Sequence, residues 1–254
     1  GLSAFMEQLV EDHVSSDVVV SSRPAIEAAS VHRANGVAPL SAGQEQMLVL
    51  HNVDPSSSAY HMPVVAALGE SVDVDLLEMA LQAVVLRHEV MRTHMYVGET
   101  NMETTQVASP ADVCLKLGMQ RACYRTDNVT PVIHSVLHRM FDLTTETWVR
   151  FGCVEVAGGE HVLAIGMHHI VGDRWSGTVI EREVVTCVKA WSAGMLSVEE
   201  GARTLPALAI QYGDFASWQS EWLPTVRDEQ LAYWRGVLGE GGPAALDLPT
   251  DFVR

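Results

Sequence analysis

Residues 167–176 have the sequence MHHIVGDRWS, and this stretch decides the prediction of the fold. A β-rich run ends at His168 and His169, and helical spacing of apolar residues begins just after Ser176. Successive side chains of a strand point to opposite faces, so we expect one imidazole to face a cavity and the other to turn into the protein. Asp173 lies in the Gly-containing loop between strand and helix. The stretch therefore predicts a strand, a polar loop and a helix in succession.

These residue types suit acyl transfer. An imidazole exchanges a proton near neutral pH, and the backbone N–H groups at a helix start can stabilise negative charge. A structural role is the competing interpretation, because a His-His pair at a strand end is more often structural or exposed. A metal site formed by His161, His168, His169 and Asp173 is a weak alternative, because successive strand residues diverge and no Cys or Glu ligand completes the set. His134 and His138 have zinc-like i, i+4 spacing on a predicted helix, but an exposed face is preferred, and we predict no metal.

The composition limits the partners. The chain has 254 residues, 48% of them hydrophobic, and 16 basic against 32 acidic residues give a formal charge of −16. Such a surface repels polyanions, so nucleic acid and anionic membrane are not expected as partners. No apolar run approaches the roughly 20 residues that cross a bilayer. Four scattered cysteines suit reduced core positions and predict a cytoplasmic protein: Cys114, Cys123, Cys153 and Cys187.

The apolar periodicity predicts an α/β fold in which helices pack on a sheet. Residues 148–156 and 161–167 are expected to form a hairpin around the turn at 157–160. Further strands are predicted over 60–68 and 92–97, and helices over 41–50, 73–88, 131–140, 177–191, 212–218 and 231–234.

Several stretches, in order along the chain, resemble the motifs of nonribosomal peptide synthetase condensation domains. MHHIVGDRWS is similar to their HHxxxDG motif, and RHEVMRT at 87–93 to their RHExLRT motif. YGDFASW at 212–218 matches YxDFAxW. Further matches are PLSAGQEQML at 39–48, DPSSSAYHMP at 54–63, FDL at 141–143, YW at 233–234 and DLPTD at 247–251.

The resemblance implies a chloramphenicol acetyltransferase-like lobe, a mixed sheet flanked by helices, within a V-shaped pseudo-dimer that is truncated in this chain. Residues 1–37 are expected to be a linker, in which 2–10 is either the last helix of a preceding carrier domain or a free helix. Residues 38–205 would form the N-terminal lobe. Residues 206–254 would form the crossover and the start of the C-terminal lobe.

The resemblance also implies residue roles. His169 would be catalytic, as a general base for the acceptor amine or as a group that positions and stabilises the tetrahedral intermediate. His168, Gly172 and Asp173 would be structural. The resemblance pairs the aspartate with an arginine of residues 87–93. Arg92, at the helix-to-strand junction, is expected to be this partner, whereas Arg87 at the helix end is expected to be solvated.

The sequence departs from the family motifs at two places. Arg174 stands where the motif has glycine, and its side chain either lines the substrate path or points to solvent. Trp175 and Ser176 follow it. They are further candidates for the wall of the active-site tunnel that the resemblance implies between the two lobes. Thr147 and Trp148 replace a common Pro-Leu pair, a change expected to affect packing alone. The residues of these motifs resemble those of the condensation subtype that joins an L-configured donor to an L-configured acceptor.

The function implied is peptide-bond formation between an aminoacyl or peptidyl thioester donor and an aminoacyl acceptor. Both would arrive on phosphopantetheine arms, from an upstream and a downstream carrier protein, beside a neighbouring adenylation domain and with no cofactor bound by this domain. The alternatives are ester formation, a non-catalytic platform that recruits other enzymes, and a free-standing acyltransferase using acyl-CoA. We expect this fragment alone to be nearly inactive, because the opposite wall of the tunnel is missing.

Overall fold

The computed structural model of the chain describes residues 24–28, 36–68, 72–98, 104–109, 120–123, 130–156, 159–192, 197–239 and 242. Within these ranges two sheets and six α-helices are arranged in sequence. The strands are β1 (Val37–Pro39), β2 (His61–Leu68), β3 (Thr93–Val97), β4 (Thr104–Ala108), β5 (Gln120–Cys123), β6 (Val149–Glu155) and β7 (His161–His168). The helices are α1 (Ala42–Val53), α2 (Val74–Arg87), α3 (Thr130–His138), α4 (Arg174–Ser192), α5 (Val198–Arg203) and α6 (Tyr212–Leu238), and a 3₁₀ turn covers Glu89–Arg92.

The larger sheet has the strand order β2-β7-β6-β5, and its strand β7 ends at the histidine pair. β7 is central, antiparallel to both neighbours, with His168 opposite His61 on β2. β5 runs parallel to β6, so the sheet is mixed. The predicted hairpin of β6 and β7 is confirmed, with Glu155 opposite His161 next to the turn. The smaller sheet has the order β1-β4-β3 and is antiparallel.

Helices cover the larger sheet. α2 packs against α4 and α5, and their apolar faces meet the sheet in one core that includes Leu81, Val84, Ile165 and Ile180. α3 lies against β6 and β7. It approaches closely because Gly166 has no side chain, and a Cβ there would collide with the carbonyl oxygen of Val136. The core thus holds β7, and therefore its end, in a fixed place.

The helix termini depend on local capping. Ser41 and Gln44 form a reciprocal capping box at the start of α1, as the serine at that position predicts. α4 begins at Arg174, three residues before the predicted start, because Asp173 caps it. The two segments predicted to be helical, 212–218 and 231–234, are both helical and lie in one helix. α6 is continuous through Pro224, since a proline removes one backbone donor while the rest of the helix keeps its hydrogen bonds.

Several predictions have a specific outcome in the structure. Trp148 is fully buried, and its Nε1 donates to the carbonyl oxygen of Leu143 at 3.0 Å, which agrees with a packing role. Cys153 and Cys187 are buried. The predicted helix at 2–10, Cys114 and the motif at 247–251 lie outside the described residues. None of the described helices is both long and apolar enough to cross a membrane.

Candidate active site

A cavity of about 660 Å³ opens beside the end of β7. Four segments form its wall: the first turns of α1, residues 88–91, residues 169–180 and the stretch that leads into α6. His169, Asp173 and Trp175 contribute from the motif, and His88 contributes from the segment after α2. The sequence stretch that predicts the fold therefore also supplies one side of this cavity.

His169 is the imidazole that faces this cavity. Its side chain is exposed, while its backbone N–H donates to the carbonyl oxygen of Tyr60 at 2.8 Å. That hydrogen bond continues the pairing of β7 with β2 by one residue beyond the ladder. The backbone is thereby anchored while the ring remains available to a ligand.

His168 points the other way and is 2% exposed. Its Nδ1 accepts a hydrogen bond from the backbone N–H of Ile170 at 3.1 Å, so the ring is neutral with its proton on Nε2. Burial, followed by the neighbouring rings of His51 and His61, lowers the pKa of His168 to about 4. The ring therefore acts as a neutral acceptor that fixes the turn after β7, as strand alternation predicts for one member of the pair.

Asp173 caps α4. Its Oδ1 accepts from both the backbone N–H and the hydroxyl of Ser176 at 2.9 Å, and its own N–H donates to the same hydroxyl at 3.1 Å. The hydrogen bonds from Ser176 hold the pKa of the Asp173 carboxyl below its usual range. The N–H of Ser176 at the helix start is thus bound by this carboxylate and is not available to stabilise charge on a substrate.

The predicted pairing of Asp173 with Arg92 is also wrong. Arg92 donates to the carbonyl oxygen of Ser109 and lies 3.4 Å from Glu89, within the 3₁₀ turn. The turn directs the guanidinium toward the end of β4, and the aspartate is satisfied within its own loop. Both groups find partners close by in sequence or on an adjacent strand, which the motif spacing does not reveal.

Arg87, expected to be solvated, is instead part of a buried cluster. Its Nε lies 3.2 Å from Oε1 of Glu183, and Nε2 of His88 lies 2.7 Å from Oε2 of the same carboxylate. Glu183 is 6% exposed, between Ile180 and Val184 on the buried face of α4. This cluster was not predicted, although a single glutamate on an otherwise apolar helix face signals a buried cationic partner.

The remaining motif residues differ in their surroundings. Gly172 is needed because a Cβ there would lie 2.5 Å from the Ser176 hydroxyl, inside the cap. Trp175 lines the cavity although it is 77% exposed. Arg174, the replacement for the motif glycine, is exposed in the first turn of α4 and does not contribute to the cavity wall. Of the three candidates for the tunnel wall, the structure brings Trp175 and Ser176 to the cavity.

Neither of the two alternative metal sites forms a cluster of ligands among the described residues. His161 begins β7 and His168 ends it, roughly 23 Å away at about 3.3 Å per residue. His134 and His138 are exposed on α3 with ring centroids 4.8 Å apart. No group of three metal-ligating side chains occurs in the described ranges.

The fold is a chloramphenicol acetyltransferase-like mixed α/β fold, as predicted. The chain belongs to the condensation domain family, whose sequence profile matches residues 34–254. It is 34% identical over 220 residues to tyrocidine synthase 3 of Brevibacillus parabrevis, a match that covers 85% of this chain and 3% of that protein. It is 31% identical over 239 residues to enniatin synthase of Fusarium equiseti, covering 93% of this chain and 7% of that protein.

Solved structures share the fold. The X-domain in its complex with OxyB, from teicoplanin biosynthesis, matches with a TM-score of 0.73 and 27% identity over 92% of this chain and 49% of that one. The first condensation domain of the calcium-dependent antibiotic synthetase matches in fold with a TM-score of 0.65 and 17% identity, over 81% of this chain and 48% of that one. The chain spans less than a tenth of these curated relatives and about half of these solved chains.

Proposed function

We propose that this chain supplies the histidine-bearing wall of an amide-forming condensation site in nonribosomal peptide synthesis. The observation that carries the proposal is the opposite placement of the two motif rings. His168 is buried and neutral, and His169 is exposed to a cavity large enough for a substrate. Membership of the condensation family supports the reaction class.

In the proposed reaction, the acceptor amine attacks the carbonyl carbon of the donor thioester. As the C–N bond forms, Nε2 or Nδ1 of His169 accepts a proton from the attacking nitrogen. The tetrahedral intermediate then loses its C–S bond, and the same proton passes to the departing thiolate. The donor and acceptor would be tethered to phosphopantetheine arms of an upstream and a downstream carrier protein, so the domain itself needs no bound cofactor.

The other motif residues hold His169 in place. His168 fixes the turn through Ile170, and Asp173 with Ser176 fixes the start of α4. We propose that residues 38–205 form the N-terminal lobe and that 206–254 lead into a second lobe which forms the facing wall. In this arrangement residues 1–37 link to a carrier domain and an adenylation domain follows. We place the reaction in the cytoplasm, the compartment in which scattered core cysteines stay reduced.

A substitution at His169 tests the proposal. In the full-length synthetase with two loaded carrier proteins, His169→Ala should lower the rate of peptide-bond formation by about 10²- to 10⁴-fold, the usual contribution of a general base. His134→Ala, on the exposed face of α3, is the matched control and should leave the rate unchanged. A His169→Ala protein that is properly folded and fully active would refute the catalytic assignment.

The nature of the acceptor needs its own measurement. Competition between an amine-bearing and a hydroxyl-bearing acceptor separates amide from ester formation, and we expect the amide product. This chain alone should form neither, because without the facing wall most of the proximity contribution, up to about 7–11 kcal/mol, is lost.

A recruitment platform is the second candidate, and one observation favours it. The structure with the TM-score of 0.73 is an X-domain in complex with OxyB, so a domain of this fold holds a partner enzyme. The replacement of the motif glycine by Arg174 also departs from the catalytic pattern. Against it, His168, His169 and Asp173 are all retained. A platform predicts that His169→Ala is silent while the chain still captures a partner enzyme.

A further inference from the structure

We infer that His88, held by Glu183, is a second catalytic residue of this cavity and removes the proton that keeps the acceptor amine from attacking. This inference rests on the proposed function and concerns a residue outside the HHxxxDG motif. His88 is one of the residues that line the same cavity as His169.

The geometry of His88 is fixed from two directions. Its Nε2 lies 2.7 Å from a carboxylate oxygen of Glu183, whose other oxygen lies 3.2 Å from Nε of Arg87. The backbone on either side is held by Gln211, which donates to the carbonyl oxygen of Arg87 at 3.0 Å and accepts from the N–H of Glu89 at 3.2 Å. A ring constrained in this way resembles an oriented base more than a solvated side chain.

The two ring nitrogens then have separate tasks. Nε2 donates to the carboxylate, which leaves Nδ1 as the proton acceptor. The carboxylate stabilises the imidazolium that forms, as in other carboxylate–histidine pairs. The His88 side chain is 20% exposed and the cavity is open to solvent at His169, so a proton taken up here can leave to water.

The proton balance of the reaction provides a task for such a group. An acceptor arriving as R–NH₃⁺ must lose two protons to become the amide nitrogen, and the thiolate takes back one of them. His169 serves the proton that moves from the attacking nitrogen to sulfur. His88 Nδ1 accepts the other before attack, giving R–NH₂ and an imidazolium, and later releases it to solvent.

Several charged and titratable groups surround His88 and bear on its pH dependence. Glu183 faces it from α4, and Arg87 neutralises that carboxylate. The ion pair of Glu89 and Arg92 follows in the 3₁₀ turn. The other titratable groups of this region are His169, Asp173, Tyr212 and Asp214.

The experiment compares pH profiles of His88→Gln and the wild type in the full-length synthetase. Glutamine can still donate to Glu183 but takes up no proton. Below the pKa of the acceptor amine, about 7.7–8.0 for an α-amino group, the variant should depend on the small neutral fraction of the amine. Its rate relative to wild type should then fall as the pH is lowered from 8.5 to 6.5, and should equal wild type above about pH 8.5. His134→Gln is the control and should follow the wild type at every pH.

If His88 had a purely structural role, His88→Gln would lower the rate by the same factor at every pH. Either that result or an unchanged rate would overturn the inference. An aminooxy acceptor, whose nitrogen is unprotonated near pH 6.5, guards against partial misfolding. The inference requires that, near pH 6.5, the rate with the amine divided by the rate with the aminooxy acceptor is lower for His88→Gln than for wild type. This ratio does not depend on the fraction of the variant that is folded. An active His169→Ala would instead refute the proposed function, so the two failures are distinguishable.

Discussion

Replacing Asp173 with alanine removes the cap of α4 and tests the role that the structure gives to the motif aspartate. The carboxylate accepts two hydrogen bonds from Ser176, each at 2.9 Å. Loss of an N-cap costs about 1 kcal/mol, within a range of about 0.5–2 kcal/mol. For a domain of this size, 1 kcal/mol corresponds to a fall in Tm of roughly 2–4 °C.

The partner of Asp173 is identified by double-mutant cycles. Ser176→Ala removes the same hydrogen bonds, so the double variant should be scarcely less stable than either single one, with a coupling energy of about 1 kcal/mol. Arg92→Ala should be additive with Asp173→Ala within about 0.5 kcal/mol, because Arg92 is paired with Glu89 and Ser109. Urea unfolding of this chain at neutral pH measures all four free energies in each cycle.

The pH dependence supplies a second measurement on the same group. The folded-state pKa of Asp173 is lowered by its hydrogen bonds from Ser176. Its stabilising contribution is therefore present above about pH 4, the unfolded value, and is lost as the pH falls through the folded value. A coupling energy above 1 kcal/mol with Arg92, together with none to Ser176, would refute the capping role.

Three further perturbations follow from the structure. Burial lowers the pKa of His168 to about 4, so the unfolded state binds more protons than the folded state between pH 6.5 and 4. Up to about 3 kcal/mol of folding stability should therefore be lost as the pH falls through that interval. His168→Gln should flatten this pH dependence of the free energy of unfolding, measured in urea. Gly172→Ala should destabilise the folded chain by about 1–3 kcal/mol, because the added Cβ displaces Ser176 from the cap. Gly177→Ala adds a Cβ that has nothing within 4 Å, so it should stabilise the helix by about 0.5–1 kcal/mol. Thermal unfolding measures both changes. Arg87→Ala should cost about 3 kcal/mol, because Glu183 loses its guanidinium partner inside the protein, and equal stability to wild type would contradict the buried ion pair.

Much of the local structure could be predicted from short-range patterns. The Ser41 cap, the hairpin of β6 and β7 and the extent of α2 follow from residues within a few positions of one another. The divergence of His168 and His169 follows from the period of a strand. Such features are predictable because the forces that determine them act between neighbours in sequence.

The elements that the sequence patterns did not predict are short, or depend on partners far away in sequence. β1, β4 and β5 have three to five residues each and owe their existence to pairing with strands far away in sequence. α6 is longer than the two segments predicted within it, because it continues through Pro224. The partner predicted for Arg92 is wrong because two motifs that lie close in a family pattern do not specify which side chains meet.

The sequence by itself determined the family, the α/β class and the stretch 167–176 on which the site is built, because motifs and periodicity are properties of residue order. Only the tertiary structure decided the partners. Asp173 is bound within its own loop, and Glu183 meets Arg87 and His88 across about 95 residues of chain. Burial is the physical reason: a carboxylate inside the core requires a cationic or hydrogen-bonding partner, and packing of α4 against α2 selects which residue provides it.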